Sequence, residues 1–165
     1  MKKILLFLIV FGVATKWDSI TSFLDAKGQN NTYTLGSYVS DEWYSDHEGY
    51  NEALKVSDEN NVPAIIYLYT DWCKYCAKFK KELLSDNDVK ESLSQFVKIK
   101  INPEHSEYEQ AIKEKIGGKG YPSLFIQLGS KAKPVRFKGP FFKNNNRWEL
   151  MSSDEFVSKL SEYRL

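Results

Sequence analysis

The apolar positions of the chain follow two rhythms, one of strands and one of helices. Val62 to Tyr69, "VPAIIYLY", is a nearly continuous apolar run with Pro63 close to its start, the pattern of a central strand buried on both faces. Val97 to Ile101, "VKIKI", alternates strictly and predicts a second strand. Tyr33 to Val39, rich in aromatic and β-branched residues, predicts another ahead of both. Ser123 to Leu128 and Ala132 to Phe137, separated by Gly129-Ser130, predict a hairpin.

Helical spacing fills the intervals. Ser45 with Glu48 is a capping-box signature ahead of Tyr50, Ala53 and Leu54, a stripe running toward Asn60. Phe79, Leu83 and Leu84 predict a helix directly after the buried run, and Val89, Leu93 and Phe96 predict a second helical stretch. Ser106 with Glu109 opens a helix through Ile112 and Ile116 that Gly117-Gly118 end, and Ser152 with Glu155 opens a last one carrying Phe156, Val157 and Leu160. The predicted order is βαβαβαββα. Residues 15–32 are ambiguous: Ile20, Phe23 and Leu24 fit a short amphipathic helix from Asp18 to Gly28 before a polar "GQNN" break. "FFKNNNRWELM", residues 141–151, lengthens the path from the last strand to the last helix beyond the usual few residues. Phe141, Phe142 and Trp148 either pack this excursion down or form a partner patch.

The first residues add an address. Lys2 and Lys3 precede an apolar run from Ile4 to Ala14, and Gly12-Val13-Ala14 puts small residues at the −3 and −1 positions of a cleavage site. The run is shorter than the roughly 17 residues that span a bilayer. Export is expected, to a periplasmic or otherwise extracytoplasmic location. Residues 1–14 then form a signal peptide or a retained N-terminal anchor, 15–32 an extension and 33–165 the folded domain. At 165 residues and 42% hydrophobic content, the chain supports one core of ordinary size. With 23 Lys and Arg against 22 Asp and Glu, no basic field argues for nucleic acid.

The cysteines supply the chemistry. Cys73 and Cys76, in "TDWCKYC", are the only two. A bridge between them closes a very short loop and staples almost nothing. Structural zinc needs four ligands, and beyond this pair the chain offers only His47 and His105, neither at finger-like spacing. No metal site is expected, and a redox pair is the strongest reading. Cys73 follows the apolar run at the start of the predicted helix, where unpaired amides and the helix dipole stabilise a thiolate.

The element order, the WCxxC motif after the second strand and Tyr121-Pro122 before the hairpin resemble the thioredoxin superfamily over roughly Tyr33 to Leu165. The most specific elements are "YTDWCKYC" and "GYPSLFIQ". "TDWCKYCAKF" is most similar to the exported or membrane-tethered reductive members, including the C-terminal domain of the thiol:disulfide interchange protein DsbD. The resemblance implies an α/β thioredoxin fold, a central mixed sheet flanked by helices. It implies Cys73 as the exposed nucleophile and Cys76 as the buried resolving cysteine. Pro122 becomes a cis proline facing the pair, with Tyr121 offering backbone to a substrate peptide. The implied activity is protein-disulfide reduction without an organic cofactor, on protein thiol and disulfide substrates, coupled to a membrane electron donor or acceptor; a monomer is expected. A thiol oxidase of the same fold and a peptide binder with incidental redox chemistry are the alternatives.

Two positions depart from the family pattern. The residue six before the first cysteine, an acid in thioredoxins and in the DsbD domain, is Tyr67 here. Apolar burial without a nearby base would keep Cys76 a thiol longer and slow resolution. Lys74-Tyr75 replaces Gly-Pro between the cysteines. The Lys74 ammonium either favours the Cys73 thiolate, making the disulfide more oxidising, or is a solvated charge of little influence. Trp72 and Tyr75 flank the cysteines where a substrate peptide would lie and are expected at the surface. His105 is expected in a surface role, and Asn30-Asn31-Thr32 fits a glycosylation sequon.

Overall fold

The computed structural model describes residues 38–164. The signal and extension segments, the sequon and residues 33–37 of the first predicted strand lie outside them. Described elements follow in the order β1 (Trp43–Ser45), α1 (Asp46–Asn60), β2 (Ala64–Leu68), α2 (Lys74–Glu82), α3 (Asn87–Ser94), β3 (Val97–Ile101), α4 (Glu107–Lys115), β4 (Ser123–Gln127), β5 (Val135–Arg136), β6 (Phe141–Asn144), β7 (Arg147–Leu150) and α5 (Ser153–Ser161).

The apolar run of β2 is buried at all five positions because both faces are covered. The main sheet runs β1-β3-β2-β4-β5, with β1, β3 and β2 parallel, β4 antiparallel to β2, and β5 antiparallel to β4. Side-chain alternation sends Ile65 and Tyr67 to one face, against Phe79 of α2, Val89 and Leu93 of α3, and Phe156 and Leu160 of α5. Ala64, Ile66 and Leu68 face the other way, against Tyr50, Ala53 and Leu54 of α1 and Ile112 of α4. This is the mixed, helix-flanked sheet the resemblance implied.

Three local expectations are corrected. Tyr38 and Val39 form no strand; the first described strand is Trp43–Ser45, three residues paired to β3 with Trp43 opposite Lys98. So short an edge strand, flanked by Asp41, Glu42 and Asp46, carries almost no periodic signal. Ser45 makes no side-chain cap on α1; Asp46, at φ 62, turns its own carboxylate to accept the Gly49 N–H at 2.9 Å. Asp tolerates this left-handed conformation better than most residues. The second hairpin strand shortens to Val135–Arg136, although the Phe137 N–H still donates to the Leu124 carbonyl at 2.9 Å. Its loop is tied to α1 instead, where the Gly129 N–H donates to Ser57 Oγ at 3.0 Å. Gly129 has φ 69, and a side chain there would strike Asp58.

The other local expectations hold in full or in part. Ser152 and Glu155 form the full capping box on α5. Ser106 Oγ accepts the Glu109 N–H at 3.2 Å, but Glu109 reaches the Asn102 N–H and the Ser106 hydroxyl, leaving the reciprocal half of that box unmade. Residues 141–150 form a second hairpin, β6–β7, turning through Asn145 and Asn146 at φ 44 and 63. Asn is among the residues that take this two-residue turn at least strain. Lys98 of β3 is buried despite the alternating pattern, whereas Lys100 on the same face is exposed; the Lys98 ammonium donates to the Ser40 carbonyl of the segment leading into β1.

Phe156 is fully buried with the rings of Phe79 and Phe137 edge-on at 5.8 and 5.3 Å. Phe156→Ala is expected to destabilise the fold by about 3–5 kcal/mol, measured by urea unfolding. A loss below about 1 kcal/mol would mean that α5 does not hold this face of the sheet.

Candidate functional site

Strand β2 ends at Leu68, and the next residues turn without slack into α2. The Tyr69 N–H donates to the Ile101 carbonyl at 3.1 Å, continuing the sheet, and the Cys73 N–H donates to the Thr70 carbonyl at 3.2 Å. Cys73 is thereby fixed as the N-cap of α2, and its sulfur accepts the Cys76 N–H at 3.1 Å. The two cysteines are joined as a disulfide with Cα atoms 5.2 Å apart.

Burial does not separate them. Cys73 is 5% and Cys76 4% exposed, so the expected exposed nucleophile is instead covered. Tyr121 and Phe141 pack on the cluster that holds both cysteines and join an aromatic rim. Trp72 and Tyr75, neighbours of Cys73 and Cys76 in sequence, are 69% and 41% exposed, Tyr121 lies edge-on to Trp72 at 6.1 Å, and Phe141 of β6 lies edge-on to Tyr75 at 5.1 Å. The Tyr121–Pro122 peptide is cis, and Lys74 is exposed on the first turn of α2. What distinguishes the sulfurs is their surroundings. When the bond opens, the Cys73 sulfur keeps the Cys76 amide and the positive end of the helix, both of which stabilise a thiolate. Both cysteines share the apolar cluster with Tyr67 and Phe79, so the helix terminus and the Cys76 amide, not burial, set the two sulfurs apart.

Tyr67 is buried beneath the pair, stacked on Tyr69 at 5.4 Å and edge-on to Phe79 at 5.3 Å. Burial pushes its phenol far above the ordinary 10.0, and the neighbouring Tyr69 adds to the rise.

A polar network braces the rim, and the sequence reading missed it. The Trp72 indole N–H donates to both oxygens of the Glu104 carboxylate at 2.9 and 3.0 Å. Asn102 accepts the Glu104 N–H at 3.1 Å, donates to Asp71 at 3.3 Å and lies 2.8 Å from His105 Nε2, which lies 3.2 Å from the same Asp71 oxygen. The loop after β3 therefore clamps the turn before Cys73. No local motif announces pairs more than thirty residues apart, although "NPEH" held the polar residues. Among the described residues no group of three or more His, Cys, Asp or Glu side chains is set to hold a metal ion.

The profile of the thioredoxin-like family matches residues 42–127, just over half of the chain. The chain belongs to the thioredoxin-like family. No curated protein sequence matches it. Similar solved structures include the DsbH oxidoreductase, 20% identical with a TM-score of 0.58 over 86% of this chain and 96% of that one. The oxidised C-terminal domain of DsbD from Neisseria meningitidis is 18% identical, with a TM-score of 0.55 over 74% of this chain and all of that one. A thioredoxin from Thermus thermophilus is 20% identical, with a TM-score of 0.51 over 73% and 85%. At these identities the likeness establishes the thioredoxin-like fold, in which the Cys73–Cys76 pair closes the first turn of α2.

Tyr67 generates an alkaline signature. Its unfolded form ionises near 10, whereas the folded form keeps the proton. Above about pH 10 the unfolded state therefore binds fewer protons, and stability falls as pH rises; below it this group adds no slope. Tyr67→Phe is expected to make the alkaline decline shallower by up to about 1 kcal/mol per pH unit, read from urea midpoints between about pH 9 and 11.5. Identical slopes in the two proteins would contradict a buried, protonated Tyr67.

Proposed function

We propose that this protein is an exported thiol:disulfide oxidoreductase that reduces disulfides of protein substrates. The observation that carries the reading is the Cys76 amide aimed at the Cys73 sulfur at the start of α2, beside the exposed rings of Trp72 and Tyr75.

In the reduced protein the Cys73 thiolate attacks one sulfur of a client disulfide, and the other client sulfur leaves as a thiolate that takes up a proton. Cys76, deprotonated, then attacks the Cys73 sulfur of the mixed disulfide. The second client thiol is released, and Cys73 and Cys76 end as a disulfide, oxidised by two electrons. A thiol donor on the membrane returns those electrons, since an exported protein is cut off from nucleotide-linked reductases of the cytosol. The substrate-binding rim comprises Trp72, Lys74, Tyr75, Tyr121 and Pro122.

The reductive direction rests on the likeness of "TDWCKYCAKF" to reductive members. Lys74 favours the opposite reading, a thiol oxidase, because stabilising the Cys73 thiolate makes the disulfide more oxidising. The resting redox state of the pair in its native compartment decides between them. A peptide binder with incidental redox chemistry would keep its binding when both cysteines are lost.

Insulin reduction driven by dithiothreitol tests the activity. Cys76→Ser is expected to accumulate mixed disulfides with clients, and Cys73→Ser few, on non-reducing gels. Equal trapping by both variants would sink the assignment of attack to Cys73. Tyr67 offers Cys76 no base that works near neutrality, so resolution is expected to limit turnover there. Rapid mixing with a model disulfide should show the mixed disulfide building up near pH 7 and resolving about tenfold faster per pH unit as Cys76 ionises. Resolution that is fast and independent of pH would show another base serving Cys76.

A further inference from the structure

An aromatic stripe leaves the redox pair along the β6–β7 hairpin and ends in solvent. Pairing sets Phe141 opposite Leu150 and Lys143 opposite Trp148, so alternation places these four side chains on one face. At the base of that face Phe141 meets Tyr75, and Phe141 and Leu150 pack on the buried cluster that contains both cysteines. Packing accounts for these two. At the tip, roughly 7 Å further along the strand, Lys143 is exposed and Trp148 is 54% exposed. An uncovered indole on the same face as Phe141, whose ring meets Tyr75 two residues from Cys73, has the character of a binding face.

Two further features define the occupant. Among the described residues β6 and β7 pair only with each other, so the outer edges offer backbone groups to an extended chain. The charge on this face is also of one sign. Lys143 is the charged residue that shares the face with Trp148, whereas alternation turns Arg147 and Glu149 to the other side, where Glu149 accepts from the Asn144 amide at 3.2 Å.

We infer that the β6–β7 hairpin is a docking arm for an extended client segment carrying acidic and aromatic residues near the cysteine it presents to Cys73. The inference rests on the oxidoreductase reading and adds which clients are preferred. Tyr75 and Trp148 take up the apolar side chains, and Lys143 meets the acid.

Turnover driven by dithiothreitol is measured on three substrates. One is a peptide disulfide flanked by Asp, Glu and Phe, the second has Lys in place of the acids, and the third is bis(2-hydroxyethyl) disulfide, too small to reach the arm. Trp148→Ser and Lys143→Glu alter exposed side chains only. Each is expected to raise KM for the acidic peptide about fivefold or more with kcat unchanged. The small disulfide should be unaffected, and Lys143→Glu should favour the Lys-flanked peptide. An unchanged KM for the acidic peptide overturns the arm. So does an equal loss on the small disulfide, which would make the hairpin a prop for the redox pair. If the wild type reduces none of the three, the oxidoreductase reading fails instead. The arm is then judged by anisotropy of a labelled acidic peptide with Ser for Cys: binding weakened by Lys143→Glu supports it, and absent or unaltered binding overturns it.

Discussion

The Cys76 N–H held 3.1 Å from the Cys73 sulfur is the contact on which the site depends, and it exists only if a helix begins at one fixed point beyond a fixed strand. β2 supplies the fixed strand. Covered on both faces and paired on both edges, it has no freedom to shift register without turning Ile65 and Tyr67 out of one core and Ala64, Ile66 and Leu68 out of the other. Cys76 and Phe79, three residues apart on one face of α2, then seat the helix against Tyr67. The placement of the cysteine pair is thus a by-product of core packing carried to the end of a strand.

Because both sulfurs are buried, their difference is electrostatic, not a matter of access. Access is set by the rim, whose two sides are built differently. Trp72 is tied through Glu104 and Asn102 to the loop after β3, so that side is braced by hydrogen bonds and carries the acids Asp71 and Glu104. Tyr75 leans on Phe141, so the other side is apolar and leads to the basic hairpin. The two sides of the pair therefore differ in kind, one polar and acidic, the other apolar.

How much was legible in the sequence follows from where each signal lay. The uninterrupted apolar β2, the cysteine pair behind it and the Ser152–Glu155 cap are local patterns and were readable. β1 was not, since three residues on an edge leave no periodicity. Ser45 lost the cap to Asp46 because a backbone φ, not composition, decides which side chain reaches the first turn. The β6–β7 hairpin did leave a trace: Asn145-Asn146 between "FFKN" and "RWEL" is turn chemistry between two alternating stretches. The clamp on Trp72 left none, being made of single polar residues on separate loops.

Lys98 shows what the change at position 67 entails. It lies on the same sheet face as Tyr67, on the neighbouring strand, with Ile65 and not Tyr67 directly opposite. Burial depresses the tendency of Lys98 to hold a proton, and Asp41 and Glu42 oppose that. A buried ammonium needs an acceptor, and a carboxylate at position 67 would lie diagonally within reach of a flexible lysine stem. A phenol there supplies no charge. Lys98 turns instead to the Ser40 carbonyl, and the Ser40 N–H is itself held by the Ser94 carbonyl at 3.0 Å. The Lys98 ammonium thus anchors the chain entering β1, and β2 itself brings no charged side chain toward Cys76.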